Sequence, residues 1–236
     1  MARVKLITFD LDNTLWDANR VLYAAEAHMR EWLDEHVPEY TTTMDRDAVM
    51  EIRTSLVEKS PHLAHDLSAL RESVLFEGIR HCGYSVPEAR THAKAAFGKF
   101  FEARQQVILF DGVLGVLDTL AAGYRLGALT NGNADVKRIG LDRYFSFAYS
   151  SADVGMSKPA PDMFHAALET SHARPGESIH VGDHLIDDIK GAADVGMHTI
   201  WANYTQQIPR RDHPTPSAEV SGPKLLVSAV RQIDEG

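Results

Sequence analysis

The chain has 236 residues, 44% hydrophobic and 24% charged, the profile of an ordinary globular protein long enough for one large domain or two modest ones. Its net charge of −9 argues against a broad nucleic-acid or anionic-membrane surface. A small anionic substrate remains compatible, because a metal and one or two lysines reverse the field locally.

Cys82 is the only cysteine, so no internal disulfide forms, which suits a reducing cytoplasm. The opening Met-Ala-Arg-Val-Lys does not read as a secretion signal and no apolar run reaches the ~18 residues that span a bilayer, so secretion and membrane spanning are not expected. A cytoplasmic protein is expected; monomer and homodimer are equally open. The twelve histidines, among them His28, His36, His62, His81 and His92, are scattered without a metal-ligand spacing.

Residues 4–9 are apolar and read as a buried strand, which stops at Asp10 and Asp12, followed by Thr14. In an open α/β sheet ligands bind at the carboxyl ends of strands. Two carboxylates so close need a divalent metal or a shared proton, although the same pattern also occurs in plain turns.

Residues 18–104 are helical in pattern, with almost no strand signal. Val21, Leu22, Ala25, Met29, Trp32 and Leu33 recur at helical spacing up to Pro38. Asp45 or Asp47 caps a second helix carrying Val49, Ile52, Leu56 and Val57. A third runs from Leu67 through Ile79 towards Gly83, and Pro87 opens a fourth with Ala93, Ala96, Phe97, Phe100 and Phe101. Four helices in a row predict a bundle-like insertion.

From residue 112 onward helices and strands alternate. Helices are predicted over 112–122, 134–139, 161–171 and 187–195, and strands over 125–129, 147–150, 178–181 and 198–201. Residues 205–224 read as loop and 225–233 as a closing helix. Such alternation implies a parallel sheet with helices on both faces. The first strand must join it, so the helical stretch interrupts one domain and forms another.

Three later strand ends answer the first. Thr130-Asn131-Gly132 offers a hydroxyl and turn amides to an anion, or simply caps a turn. Lys158 precedes two stiffening prolines, at 159 and 161, and either faces solvent or balances phosphate and carboxylate charge. Gly182-Asp183 ends another strand, with Asp187 and Asp188 beyond. Asp187 suits a helix N-terminus, whereas Asp183 falls where Asp10 also points.

In order and spacing these segments resemble the haloacid dehalogenase-like superfamily over nearly the whole chain. The resemblance implies a Rossmann-like, doubly wound parallel-sheet core (1–16 and 106–236) with an inserted all-α helical cap (17–105). It implies Asp10 as nucleophile, Asp12 as general acid then base, and Mg²⁺ on Asp10, the Asp12 carbonyl and Asp183. Thr130, Asn131 and Lys158 would hold the phosphoryl group, Asp188 would orient Lys158 or a metal-bound water, and Thr14 would support the loop. Dehalogenases of the superfamily typically carry Tyr where this chain has Asp12, so the phosphatase branch is expected, acting on a small-molecule phosphate monoester. Phosphomutases keep that acid too. A phospho-accepting regulator or an inactive binding protein is the reading from another class.

Residues 8–17, His65-Asp-Leu-Ser-Ala-Leu-Arg71 and Leu129–Ala134 also resemble bacterial phosphatases acting on flavin mononucleotide and on 5-amino-6-(5-phosphoribitylamino)uracil. On that resemblance His65 and Arg71 would contact the substrate and Trp16 would stack on a ring. The plainer alternatives are a core Trp16 and an Arg71 paired with Glu72 or Asp66.

Overall fold

The computed structural model describes residues 4–236; the first three residues of the segment assigned above to the core lie outside the described residues. The chain divides into two compact units. One runs to Asp17 and resumes at Ile108; the other is Ala18–Val107.

β1 (Leu6–Phe9) is buried along its length. The inserted unit follows, with helices α1 (Ala18–His36), α2 (Pro38–Thr43), α3 (Arg46–Lys59), α4 (Leu67–His81) and α5 (Val86–Arg104). Its core is built from one stripe of each long helix: Ala25, Met29 and Leu33 of α1, Leu75 and Ile79 of α4, and Ala89, Ala93, Ala96 and Phe100 of α5. These positions are three or four apart, so they line one helix face. Asp45 settles the capping choice, accepting from the Ala48 amide at 2.9 Å. The unexpected helix is α2. Pro38 reads as a stop for α1, yet proline is also well placed in a first turn, and here it opens a new helix. Gly78 of α4 leaves room for the Tyr40 ring, which a Cβ there would approach to 2.6 Å.

The core unit contains α6 (Val113–Ala121), β2 (Arg125–Thr130), α7 (Val136–Ile139), β3 (Phe147–Ser150), α8 (Ser151–Val154), α9 (Asp162–Ser171), β4 (Ser178–Gly182), α10 (Gly191–Asp194), β5 (His198–Ala202), β6 (Ala218–Val220) and α11 (Leu226–Glu235). The strands form one six-stranded parallel sheet in the order β3-β2-β1-β4-β5-β6, the doubly wound arrangement expected from sequence. The order reverses at β1, so β1 and β4 flank the switch point. Phe9 is level with Ala128 on β2 and Val181 on β4, which brings three strand ends to one edge.

Two stretches differ from expectation. β6 lies inside the predicted loop; three residues carry no readable alternation, and the strand is defined by its ladder with β5. The helix expected from Asp187 begins earlier, as a π-helical turn over Leu185–Lys190 capped by the His184 ring, which accepts from the Asp187 amide at 3.0 Å. No helix among the described residues is long and apolar enough to cross a membrane.

Candidate active site

The loop after β1 is closely determined by its backbone. Asp10 donates its amide to Val181 of β4 at 2.8 Å, so the first acid is pinned at the switch point. Asn13 adopts a left-handed φ of 59°, a conformation asparagine tolerates better than most residues. The chain then doubles back: the Asn13 amide donates to the Trp16 carbonyl at 2.8 Å, and Trp16 bridges Leu109 on its other side. Thr14, fully buried, donates to Asp10 Oδ2 at 3.4 Å, a long contact that fits a supporting role.

Lys158 is buried, and its ammonium donates to Asp10 Oδ1 at 2.7 Å, to Asp188 Oδ1 at 2.6 Å and to the Leu129 carbonyl at 2.8 Å. All three N–H bonds of a lysine are thereby used. Burial opposes its charge, but Asp10 and Asp188 outweigh burial and hold its pKa above the ordinary lysine range. Asp188 shows the reverse balance. Burial works against its charge, while Lys158 and His180 hold its carboxyl well below the usual range.

Asp10 and Asp183 are less well compensated. Burial, reinforced by Asp188 and Asp183, raises the Asp10 carboxyl well above its ordinary value despite Lys158. Burial and then Asp188 push Asp183 up to about 6. The three carboxylates offer oxygens lying within 4.8 Å of one another. One ammonium faces three acids, so the cluster is short of positive charge. Hard carboxylate oxygens in such a group fit a divalent cation. Asp188 already accepts from Lys158 and His180 on Oδ1 and from the His184 amide on Oδ2 at 3.0 Å. It is therefore the member best suited to orienting the lysine.

Gly182 is required here for space rather than for a sharp turn. A Cβ at that position would sit 2.3 Å from the Asp188 carboxyl carbon, so only glycine lets Asp188 fold back against the end of β4. The Asp183 carbonyl is held by the Trp201 indole of β5 at 2.8 Å.

The side chains of two residues predicted to meet substrate have partners within the core unit. Asn131 was expected to bind phosphate, but its side chain clamps Lys158: Nδ2 donates to the Lys158 carbonyl at 2.9 Å and the Lys158 amide donates to Oδ1 at 2.7 Å. What it can still offer an anion is its backbone amide. Trp16 was expected to stack on a substrate ring. It is fully buried, and its indole N–H donates to Asp12 Oδ1 at 2.8 Å, because a buried indole needs an acceptor. Thr130 stands at the end of β2, its hydroxyl accepting from the Gly132 amide at 2.9 Å.

In the inserted unit Arg71 pairs with Glu26 of α1 at 2.8 Å, not with Glu72 or Asp66, and its guanidinium lies 3.8 Å from the Phe100 ring centroid. Those contacts fix its guanidinium within that unit. His65 ends a 3₁₀ turn, half-buried.

His180 is the residue sequence reasoning passed over. It is fully buried on β4, with Nδ1 2.8 Å from the Thr8 hydroxyl and Nε2 3.1 Å from Asp188 Oδ1. Burial lowers its pKa, so it stands neutral, with Nε2–H donating to Asp188 and Thr8 donating to Nδ1. The available signal was its position in an otherwise apolar strand, two residues before Gly182.

The profile of haloacid dehalogenase-like hydrolases matches residues 4–196. The chain belongs to that family. Among curated members of the haloacid dehalogenase-like hydrolases, the 5-amino-6-(5-phospho-D-ribitylamino)uracil phosphatase of Escherichia coli K12 is 32% identical over 201 residues, 85% of this chain and 84% of that protein. The glyceraldehyde 3-phosphate phosphatase of Pyrococcus furiosus is 30% identical, covering 86% of this chain and 82% of its own. A structure described as a 2-haloacid dehalogenase from Pseudomonas syringae pv. Tomato DC3000 superposes with a TM-score of 0.93 at 40% identity, covering 97% of this chain and 99% of the other.

Proposed function

We propose that this haloacid dehalogenase-like hydrolase is a Mg²⁺-dependent phosphatase acting on a small-molecule phosphate monoester through an aspartyl phosphate on Asp10. The observation that carries the reading is a second acid, Asp12, fixed two residues beyond a nucleophile already bonded to a buried lysine. Displacing a halide needs no proton donor. Expelling an alkoxide does, and that requirement favours the phosphatase reading over the activity named for the Pseudomonas syringae relative.

In the first half-reaction an Asp10 oxygen attacks phosphorus and the ester P–O bond breaks. Asp12 gives its proton to the departing oxygen. In the second, Asp12 takes a proton from water, the water oxygen attacks phosphorus, and the bond to Asp10 breaks to release inorganic phosphate. Lys158 and Thr130 stabilise charge on the transferring group, and Asn131 and Asp188 hold Lys158 in place. Asp10, the Asp12 carbonyl and Asp183 are the groups that would hold Mg²⁺, which when bound supplies positive charge to the phosphoryl oxygens. Flavin mononucleotide and 5-amino-6-(5-phosphoribitylamino)uracil are the first substrates to try, the second being the one in the name of the Escherichia coli relative.

The test is a panel of those two esters, nucleoside monophosphates, sugar phosphates and a 2-haloacid, each read for released phosphate or halide. Phosphate release from at least one ester is expected, dropping to background in Asp10→Asn with the fold intact by circular dichroism. Halide release without phosphate release, or retained turnover in Asp10→Asn, would overturn the assignment.

A further inference from the structure

We infer that Trp16 is a positioning residue for catalysis: its indole N–H sets the orientation from which Asp12 protonates the leaving group. The inference rests on the phosphatase reading above. Its basis is geometric. Trp16 is fully buried, and its indole N–H reaches Asp12 Oδ1 at 2.8 Å. Its backbone is held on both sides, by the Asn13 amide and Asp12 bridge on one and by Leu109 on the other. Such a ring cannot swing away, so the carboxyl it touches is held in one rotation about its χ angles.

The hydrogen bond also has a direction in energy. While Asp12 carries its proton, the indole donates to a neutral carboxyl oxygen. Once the proton has moved to the departing alkoxide oxygen, the same N–H donates to a carboxylate, and the bond becomes charge-assisted and stronger. In the first half-reaction, an interaction that strengthens as the proton leaves favours the transition state over the bound ester. The proton passes from Asp12 to the leaving oxygen as the P–O bond breaks, and the indole keeps its own hydrogen throughout.

The experiment compares two esters that differ in their need for an acid. An alkyl phosphate such as glycerol phosphate expels a poor leaving group; 4-nitrophenyl phosphate expels a phenolate that departs without a proton. Trp16→Phe removes the N–H and keeps a buried ring. A second variant, with the Trp16 indole replaced site-specifically by benzothiophene, removes the N–H at nearly constant shape. In both, kcat/KM for the alkyl ester, which reports only the steps up to leaving-group release, is expected to fall by about 10- to 100-fold, within the range general acid catalysis supplies. The fall in kcat/KM for 4-nitrophenyl phosphate is expected to be under about threefold, because its first half-reaction needs no acid. In an Asp12→Asn background, adding Trp16→Phe should cost almost nothing more, because the two act as a unit. Equal losses on both esters would show that Trp16 only holds the loop together and would overturn the inference, as would no loss on either. If the unaltered protein releases phosphate from neither ester nor from any on the panel above, the phosphatase reading falls first, a result distinct from equal losses in the variants.

Discussion

The side chain of Asn131 joins two strand-end loops by two complementary hydrogen bonds to the backbone of a single residue, Lys158. Only one orientation of the amide satisfies both, oxygen towards the N–H and nitrogen towards the carbonyl. The ammonium of that lysine is in turn divided among Asp10, Asp188 and Leu129, so the aim of the nucleophile depends on a residue that never touches it. Asn131→Ala leaves a partly buried N–H and carbonyl without their partners. It is expected to cost about 1–3 kcal/mol in denaturant unfolding and to lower kcat/KM by about 10- to 100-fold, the usual size of a supporting-contact loss. Unchanged kcat/KM would show that Lys158 is held well enough by its acids alone. From sequence Asn131 looked like an anion contact because it follows Thr130 at a strand end. A side-chain amide that reaches across 27 positions leaves no local pattern to read.

At the scale of elements, legibility followed length. α1 and α5 each span 19 residues with a repeating apolar stripe, and both were readable at once. The motifs at Asp10, Thr130 and Asp183 were readable because each ends an apolar run; Lys158, which lies beyond α8 and not at a strand end, was readable from the two prolines that follow it. β6 and the π-helical turn after β4 were not, since the first has three residues and the second depends on Asp188 packing against Gly182. Another such contact joins the starts of β1 and β4, where Glu177 accepts from the Lys5 ammonium at 2.9 Å and from Arg174 at 2.7 Å. The Arg174 and Lys5 hydrogen bonds hold the Glu177 carboxyl down at about 2. A folded-state value below the unfolded ~4.3 means that the stabilisation is complete above that pH and is lost as pH falls towards 2. The melting temperature of Glu177→Gln should thus lie below that of the unaltered protein at neutral pH, and the gap should close between about pH 4.5 and 2. A gap that stays constant across that window would mean Glu177 stabilises by packing and not by charge.

The whole molecule carries a net charge of −9, and at the switch point Asp10 and Asp188 share one buried ammonium with Asp183 close beside them. Two kinds of cation effect follow, and they separate by valence and concentration. General screening of surface charge responds to any salt and works over a Debye length of ~10 Å at 0.1 M. Occupation of the carboxylate cluster responds to a hard divalent ion and saturates. An ion that binds the folded core and not the unfolded chain stabilises it by mass action, by about 2.7 kcal/mol at 100 times its dissociation constant. Millimolar Mg²⁺ is therefore expected to raise the melting temperature along a saturating curve, at an NaCl background high enough to flatten the salt response. EDTA should return it to the starting value, and hydrogen exchange should slow most in the loops after β1 and β4. Asp183→Asn removes one carboxylate without disturbing the Lys158 bonds to Asp10 and Asp188, so it should abolish the Mg²⁺ response while keeping the salt response. Because Asp183 is itself pushed up to about 6, the substitution relieves charge repulsion and should raise the metal-free melting temperature at neutral pH. A variant that melts higher without Mg²⁺ and no longer responds to it would locate the charge deficit in the cluster; an Mg²⁺ shift that survives Asp183→Asn would place the binding elsewhere.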